Sequence, residues 1–280
     1  TGNDILGRQA LRAFAQSQLA GGFTQSRYPS TFRQVIPGYC LIWALMAHDH
    51  WCFFGDLEPV RELMPNLEFM LEAFERRRLN NRLIGPVAGW HFTDWVNEWP
   101  GGASDRGENF PETIINLFYA EACRCVGVMK AQLGLDGTEL LRRAEVTLEA
   151  VRKHGFDPER NRFRDVPGRD WYSVHANVLA VLFGAVPEAQ GSQFLREVLA
   201  DGTLAQPTLY FEFYILGALQ RYGTPEEFRR RLGLWEKMLK MGYTTFPERP
   251  SLTARSECHA WSTAPAWFLL DGDRMEANAQ

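Results

Sequence analysis

Hydrophobic side chains recur at intervals of three and four residues along most of the chain, which is the spacing of one face of an α-helix. Similar stripes run through segments 138–153 and 225–240. The second of these begins with a start signal, because Thr224 is followed by a proline and by Glu227 at capping-box spacing. The clearest stripe lies in 58–78 and consists of Val60, Leu63, Met64, Leu67, Met70, Leu71 and Phe74.

The same pattern, followed over the whole length, predicts about ten helices. They cover approximately residues 4–19, 34–54, 58–78, 110–133, 138–153, 173–184, 190–200, 208–222, 225–240 and 258–270.

Two kinds of helix alternate in this prediction. Residues 40–47 have no polar face, and 110–133 and 173–184 are similar, which is expected of helices buried on most sides. The striped helices between them have one face suited to water. A plain bundle would make every helix amphipathic. The alternation therefore predicts an all-α fold in which buried helices form an inner layer and half-exposed helices an outer one, as in a helical toroid.

The connections alternate in length as well. Short turns separate some helices, whereas the segments 20–33, 80–109, 155–172 and 241–257 are long and rich in aromatic and charged residues. Long loops in compact domains are usually functional. If the helices run up and down, all four long loops meet at one end of the fold, and we expect the functional site there.

Composition narrows the class of function. The chain has 280 residues and no linker-like tract, so we expect one domain over 1–280. Its 30 basic and 34 acidic residues give a net charge of -4, without the basic excess typical of nucleic-acid binding. No hydrophobic run approaches the roughly 18 residues of a membrane span. Five irregularly spaced cysteines predict reduced thiols and a cytoplasmic location. The pattern predicts no particular oligomeric state.

The loop from Gly89 to Gly102 is the richest in candidate chemistry. Indole faces stack on the apolar faces of sugar rings, and carboxylates accept hydrogen bonds from sugar hydroxyls. The pattern therefore favours a carbohydrate site, although a tryptophan-rich plug that only packs the toroid is the alternative. The candidate residues are Trp90, Asp94, Trp95, Glu98 and Trp99.

A second candidate segment lies near the C-terminal end. Glu248 is flanked by Pro247 and Pro250, which makes a stiff mounting for a carboxylate. His259 and Trp261 are expected to open the last helix, whose N-terminus favours negative charge. The alternative is a solvated loop glutamate beside a buried core histidine.

Several further polar residues lie in apolar surroundings. Arg33 and Glu212 are equally consistent with a ligand contact and with a buried residue whose hydrogen bonds hold the fold together. His175 and Asn177 fit the second, structural role better. The segment 48–50, His-Asp-His, resembles a metal pair, but residues two apart on a helix face away from each other. No zinc, nucleophile-elbow, phosphate-loop or dinucleotide motif is present. The sequence therefore predicts neither metal nor cofactor, and the remaining chemistry is acid–base work by carboxylates.

The order of several short motifs resembles the catalytic six-hairpin domain of the bacterial α-L-rhamnosidases over nearly the whole chain. The segments that carry the resemblance are 28–30 (Tyr-Pro-Ser), 34–37 (Gln-Val-Ile-Pro), 92–95 (Phe-Thr-Asp-Trp), 175–177 (His-Ala-Asn), 210–214 (Tyr-Phe-Glu-Phe-Tyr), 244–248 (Thr-Thr-Phe-Pro-Glu) and 256–262 (Ser-Glu-Cys-His-Ala-Trp-Ser).

The resemblance implies an (α/α)6 toroid and inverting hydrolysis of terminal α-L-rhamnosides, with a carbohydrate as the partner. It implies that Glu248 is the general base, and that His259, Asp94, Trp95 and Trp99 line the rhamnose pocket.

The resemblance weakens at the front of the chain. Residues 1–4 (Thr-Gly-Asn-Asp) look like the end of a Trp/Tyr-Thr/Leu-Gly-Asp stretch, which in the family follows shortly after the segment that holds the general acid. Asn3 or Asp4 would then be the family's third acidic position. The general acid and the first helix or two would then precede residue 1 in a longer protein. Two other functions stay open: another six-hairpin enzyme, such as a glucuronyl hydrolase or a phosphorylase, and a carbohydrate-binding module without activity.

Overall fold

The computed structural model describes residues 3–270 and has ten α-helices in that range, as the sequence predicts. They are α1 Ile5–Gln16, α2 Pro37–Phe54, α3 Glu58–Glu75, α4 Thr113–Gln132, α5 Thr138–Gly155, α6 Val174–Leu182, α7 Glu188–Ala200, α8 Glu212–Tyr222, α9 Pro225–Lys240 and α10 Ala264–Leu270. Two short strands, β1 Phe156–Asp157 and β2 Arg162–Phe163, pair antiparallel after α5. Residues 1 and 2, which begin the stretch that resembles the family's Gly-Asp segment, lie outside the described part.

The helices form two layers. The even-numbered helices contact one another in order, α2 with α4, α4 with α6, α6 with α8 and α8 with α10. Each of α3, α5, α7 and α9 packs against the even-numbered helix that precedes it, and α1 packs against α2 and α3. This arrangement is the predicted α/α toroid.

Burial follows the layers and explains the two sequence patterns. In the inner helix α6, every residue from Val174 to Val181 is buried. In the outer helix α9, only Trp235 and Met238 are buried, and the predicted capping box at Thr224 is present. A capping side chain of this kind contributes about 0.5–2 kcal/mol. The fully buried Trp43 and Phe74 lie within one large core cluster, and burying such a side chain contributes about 1.5–3 kcal/mol.

The connections alternate as expected, but there are five long ones rather than four. Short turns follow α2, α4, α6 and α8. Long loops, at 17–36, 76–112, 156–173, 201–211 and 241–263, follow the odd-numbered helices. The additional loop is 201–211, which the sequence pattern placed partly inside a helix beginning at 208.

Contacts between consecutive long loops show that they share one end of the toroid. Trp90 N donates to Val35 O at 2.8 Å, which joins the first loop to the second. Ala205 N donates to Tyr172 O at 3.0 Å, which joins the third to the fourth. The rings of Tyr210 and Trp261, in the fourth and fifth loops, have centroids 5.8 Å apart.

The start of the last helix was predicted wrongly. His259 has extended backbone angles, Trp261 lies in a 3₁₀ turn over Ala260–Ser262, and α10 begins only at Ala264. The reason is tertiary, because His259 N donates to Phe246 O at 2.7 Å across the loop instead of to a helical carbonyl. Among the helices of residues 3–270, none has the length and apolarity needed to cross a membrane.

Candidate active site

The tryptophan-rich loop turns back on itself around Gly102. The carbonyl of Gly102 accepts hydrogen bonds from Thr93 N at 2.8 Å and Asp94 N at 3.2 Å. A side chain at position 102 would collide with the Phe92 ring, and φ there is +73°, so glycine is required. The turn brings Trp95 against Phe92, with ring centroids 4.9 Å apart. Trp95 is held at the surface, with 46% of its area exposed.

Asp94 points the other way, into the protein, and is fully buried. Its Oδ2 accepts from His175 Nε2 at 2.9 Å and from Thr208 N at 2.9 Å. Its Oδ1 accepts from Trp95 N at 2.8 Å and from the Thr208 hydroxyl. Burial alone would raise the pKa of Asp94, but the hydrogen bonds from His175 and Thr208 outweigh it and lower the pKa. Asp94 therefore ties the second long loop to the fourth and to α6.

Glu248 is fixed by its own loop. Glu248 N donates to Ser256 O at 2.8 Å, and its carbonyl accepts from Trp261 Nε1 at 2.9 Å. The side chain is 8% exposed, and both carboxylate oxygens accept from one guanidinium. Arg255 donates from Nη2 to Oε1 at 2.5 Å and from Nε to Oε2 at 3.2 Å. Glu248 is therefore a rigidly held carboxylate and not a solvated loop residue.

A cavity of about 370 Å³ lies between these loops, and its volume is within the usual range of small-molecule sites. It brings three of the predicted residues together, Trp95, Glu248 and Trp261. Thr208, Arg249 and Arg255 complete the lining. A sugar ring is bound by flat apolar surfaces together with hydrogen-bond donors and acceptors. The cavity offers these groups as two indoles, one carboxylate and several donors.

His259 supports this wall from behind. Its ring stacks on Trp261 with centroids 4.2 Å apart and an angle of 30° between planes. His259 is half-buried, and its Nδ1 has no hydrogen-bond partner within residues 3–270. In this structure its contact is with the indole that faces the cavity.

The other predicted site residues lie outside the cavity lining. Trp90 is half-buried and donates from Nε1 to Gly101 O at 2.8 Å. Trp99 is 3% exposed and packs on the His175 ring, with centroids 4.7 Å apart. Glu98 and Arg33 are exposed on the loop surface. The loop thus combines both interpretations of its sequence, since Trp99 packs the interior while Trp95 faces the cavity.

The polar residues Glu212 and Asn177 of the inner helices have structural roles, because they bond to other segments of the protein. Glu212, left open by the sequence, is buried and forms a bidentate ion pair with Arg231 of α9. Burial raises the pKa of Glu212, and the Arg231 guanidinium opposes this. Asn177 bonds the backbone of Phe163 through both ends of its amide, at 2.7 and 3.0 Å.

Asp4 does not lie at this site, contrary to the expectation that it or Asn3 occupies an acidic catalytic position. Arg8 donates to both Asp4 and Asp56. Asp56 is in the short turn after α2, at the end of the toroid opposite the long loops. The 18 residues of α2 separate the two ends by about 27 Å at 1.5 Å per residue.

A group of His91, Asp105 and Glu112 has ligand atoms within 4.8 Å of one another, the spacing of a metal site. The His91 ring nitrogens, however, already have hydrogen-bond partners within the protein. His91 Nδ1 donates to Glu112 Oε1 at 2.8 Å and Nε2 to Val87 O at 2.5 Å. Both ring nitrogens face acceptors, which favours the doubly protonated imidazolium, a form that has no lone pair for a metal. The Glu112 hydrogen bond is the largest reason why the pKa of His91 is raised to about 9.

Three lining residues were not predicted. Thr208 belongs to loop 201–211, the fourth long loop, which the sequence did not predict, and nothing in its neighbourhood marks it as polar lining. Arg249 and Arg255 flank Glu248 in sequence. The signal that could have found them is charge, because a buried carboxylate requires a cationic partner.

Comparisons with known proteins agree with the fold. The model for the bacterial alpha-L-rhamnosidase six-hairpin glycosidase domain matches residues 3–271. A GH78 family rhamnosidase of Bacillus sp. GL1 is similar in structure, with a TM-score of 0.84 and 22% sequence identity. The similarity covers 96% of this chain and 30% of the Bacillus chain. A Klebsiella oxytoca rhamnosidase with rhamnose bound has a TM-score of 0.80 and 19% sequence identity. The similarity covers 96% of this chain and 54% of the Klebsiella chain.

A more distant structure is also similar, the GH63 mannosylglycerate hydrolase of Thermus thermophilus in complex with glucose. Its TM-score is 0.63 with 16% identity, over 95% of this chain and 89% of that one. No protein with a curated description matches the sequence. The chain spans less than a third of the Bacillus protein and 54% of the Klebsiella protein. From the family match over nearly its full length, the chain belongs to the bacterial alpha-L-rhamnosidase six-hairpin glycosidase domain family.

Proposed function

We propose that this domain binds and hydrolyses terminal α-L-rhamnosides with inversion of configuration, and that Glu248 is the general base. One observation carries the proposal: the Glu248 carboxylate lies in the wall of a 370 Å³ cavity that Trp95 and Trp261 also line. The family membership and the Klebsiella relative with rhamnose bound support rhamnose as the sugar.

In this mechanism the sugar ring stacks on an indole, which leaves its anomeric carbon exposed to a water held by Glu248. The carboxylate takes a proton from the water as its oxygen attacks, and the bond to the leaving group breaks on the opposite face. Each carboxylate oxygen has two lone-pair sites. The hydrogen bonds from Arg255 therefore leave acceptor positions for the water.

Inverting hydrolysis also uses a general acid, with the two carboxyl groups about 6.5–9.5 Å apart. Within residues 3–270, Glu248 is the only carboxylate in the cavity lining. An aryl rhamnoside with an activated leaving group suits this chain, since such a phenolate departs without protonation. With such a substrate, the contribution of the general base to the rate can be measured without a contribution from a general acid.

The experiment is the release of an activated phenol from an aryl α-L-rhamnoside, with the anomer of the released sugar followed by proton NMR. First appearance of β-L-rhamnose supports the proposal. First appearance of the α anomer shows retention and contradicts it. A panel of other aryl glycosides tests the sugar, and turnover of another glycoside without turnover of the rhamnoside would replace rhamnose by that sugar.

Binding without turnover is the second candidate, and the single lining carboxylate favours it. It predicts that calorimetry detects rhamnose binding while no phenol is released, even from the activated rhamnoside. Turnover above the uncatalysed rate excludes it.

A further inference from the structure

The side chains that line the cavity include few hydrogen-bond acceptors. Arginine guanidinium groups and indole nitrogens only donate, so Arg249, Arg255 and the two tryptophans of the lining offer none. Among the described residues, the lining side chains that carry oxygen atoms are Glu248 and Thr208. The Glu248 carboxylate already accepts from Arg255, and in the proposed reaction it holds the attacking water. Thr208 is therefore the lining side chain that can supply a further acceptor to a ligand.

Thr208 is fixed by two hydrogen bonds to Asp94. Its backbone N donates to Asp94 Oδ2 at 2.9 Å, and its hydroxyl donates to Asp94 Oδ1. The same loop is held a few residues earlier, where Val174 N donates to Ala205 O at 3.1 Å. The position of the Thr208 hydroxyl is therefore set before a ligand binds.

The direction of the hydroxyl proton is fixed as well. A threonine hydroxyl has one proton to donate and two lone-pair sites that accept. Burial opposes the ionisation of Asp94, but the hydrogen bonds from His175 and Thr208 lower its pKa, so the carboxyl is ionised at neutral pH and can only accept. The Thr208 proton is therefore used by Asp94, and Oγ1 can act toward a ligand only as an acceptor.

We propose that Thr208 Oγ1 accepts a hydrogen bond from one ring hydroxyl of the bound rhamnose, and that the domain selects rhamnosides in which this hydroxyl is free. This rests on the proposed function, in which rhamnose occupies the cavity. The negative charge of Asp94 polarises the threonine hydroxyl and strengthens it as an acceptor. A rhamnose with a methyl ether or an ester at that position has no proton to donate, so it would bring two acceptors together.

The test uses methyl α-L-rhamnoside and three analogues, in which fluorine replaces the hydroxyl at C2, C3 or C4. Fluorine is similar to a hydroxyl in size but cannot donate a hydrogen bond. Dissociation constants are measured by calorimetry, which requires no turnover. With the wild-type domain, we expect fluorine at one of the three positions to weaken binding about five- to tenfold because Thr208 then lacks its donor. This is the low end of the range for an unpaired acceptor, since Thr208 is half-buried.

Two substitutions at position 208 locate the effect. Thr208→Val keeps the shape of the side chain without its hydroxyl, and we expect it to weaken binding of the parent rhamnoside about five- to tenfold and to abolish the fluorine penalty at that one position. A merely structural role would weaken the parent and all three analogues equally. Thr208→Ser keeps the hydroxyl and should retain the penalty.

Thr203→Val is the matched control. Thr203 lies in the same loop, is exposed and is outside the cavity lining. Its hydroxyl also donates to a carboxylate oxygen, Asp201 Oδ1, at 2.6 Å. Thr203→Val should therefore bind all four sugars as the wild-type domain does.

Equal affinity of the wild-type domain for all four sugars overturns the inference, and this comparison needs no variant. A fluorine penalty that survives Thr208→Val at every affected position also overturns it, as does an equal weakening of all four sugars in both variants at position 208. If the parent rhamnoside binds to the wild-type domain in these cases, the proposed function stands without the inference. If none of the four sugars binds, both the inference and the proposed function are contradicted.

Discussion

His175 in the inner helix α6 donates from Nε2 to Asp94 Oδ2 across 2.9 Å, and both side chains are fully buried. The histidine ring contacts both Trp99 and Phe211, with centroid distances of 4.7 and 4.2 Å. This pair connects the middle of the toroid to the loop that presents Trp95. It makes Asp94 a support of the cavity wall, whereas the sequence predicted a sugar ligand.

Replacing Asp94 should therefore affect stability first. In Asp94→Asn the amide group would face donors, since every neighbour of this carboxylate donates to it. We expect the free energy of unfolding, measured in urea, to fall by about 3–5 kcal/mol, as when a buried pair loses one partner. Glu98→Gln, an exposed change four residues away, is the control. Unchanged stability with lost rhamnose affinity would instead show that Asp94 contacts the sugar.

His91 predicts a pH dependence of stability. Its pKa is raised to about 9 in the folded protein, from about 6.5 in an unfolded chain. The protonated ring, held by Glu112 and close to Asp105, therefore stabilises the fold fully below pH 6.5, and this contribution is lost as the pH rises to about 9. The loss is on the order of 2–3 kcal/mol.

Urea unfolding at pH 6 and pH 9 measures this contribution. His91→Gln should remove most of the difference between the two pH values, because glutamine does not titrate. His154→Gln, on the outer helix α5, should keep it. A His91→Gln protein with the wild-type pH dependence would contradict the imidazolium assignment.

Trp95 and Trp99 separate the two roles of the tryptophan loop. Trp95→Ala should weaken rhamnose binding about tenfold, since an interface tryptophan commonly contributes more than about 1 kcal/mol, and should leave the unfolding midpoint nearly unchanged. Trp99→Ala should reduce the free energy of unfolding by about 3–5 kcal/mol because it opens a hole in the core. Calorimetry and urea unfolding on both variants provide the check. If Trp95→Ala lowered stability and Trp99→Ala weakened rhamnose binding, the two assignments would have to be exchanged.

The fold could be predicted from the sequence because its cause is local. The stripe from Val60 to Phe74 is buried in α3 as expected, and the alternation of inner and outer helices follows from which faces are apolar. The start of α10 could not be predicted in this way. It depends on a hydrogen bond between His259 and Phe246, which only the folded loop brings together.

The site could be predicted only in part. Loop length and residue type indicated Trp95, Glu248 and Trp261, which the cavity brings together. The same residue types also occur at Asp94 and Trp99, which point inward. A sequence pattern records that a carboxylate or an indole is present in a loop, but the side of the loop it faces is decided by tertiary turns such as the one at Gly102.

The identity of the base is the central claim, and Glu248→Gln tests it most directly. Glutamine keeps the size of the side chain and can still accept from Arg255, but it cannot take a proton from water. With an activated aryl α-L-rhamnoside, we predict a fall in kcat of about 10²–10⁴-fold, with the dissociation constant of rhamnose unchanged. Glu257→Gln, an exposed change in the same loop, should retain the wild-type kcat. A Glu248→Gln protein with wild-type kcat would contradict the assignment.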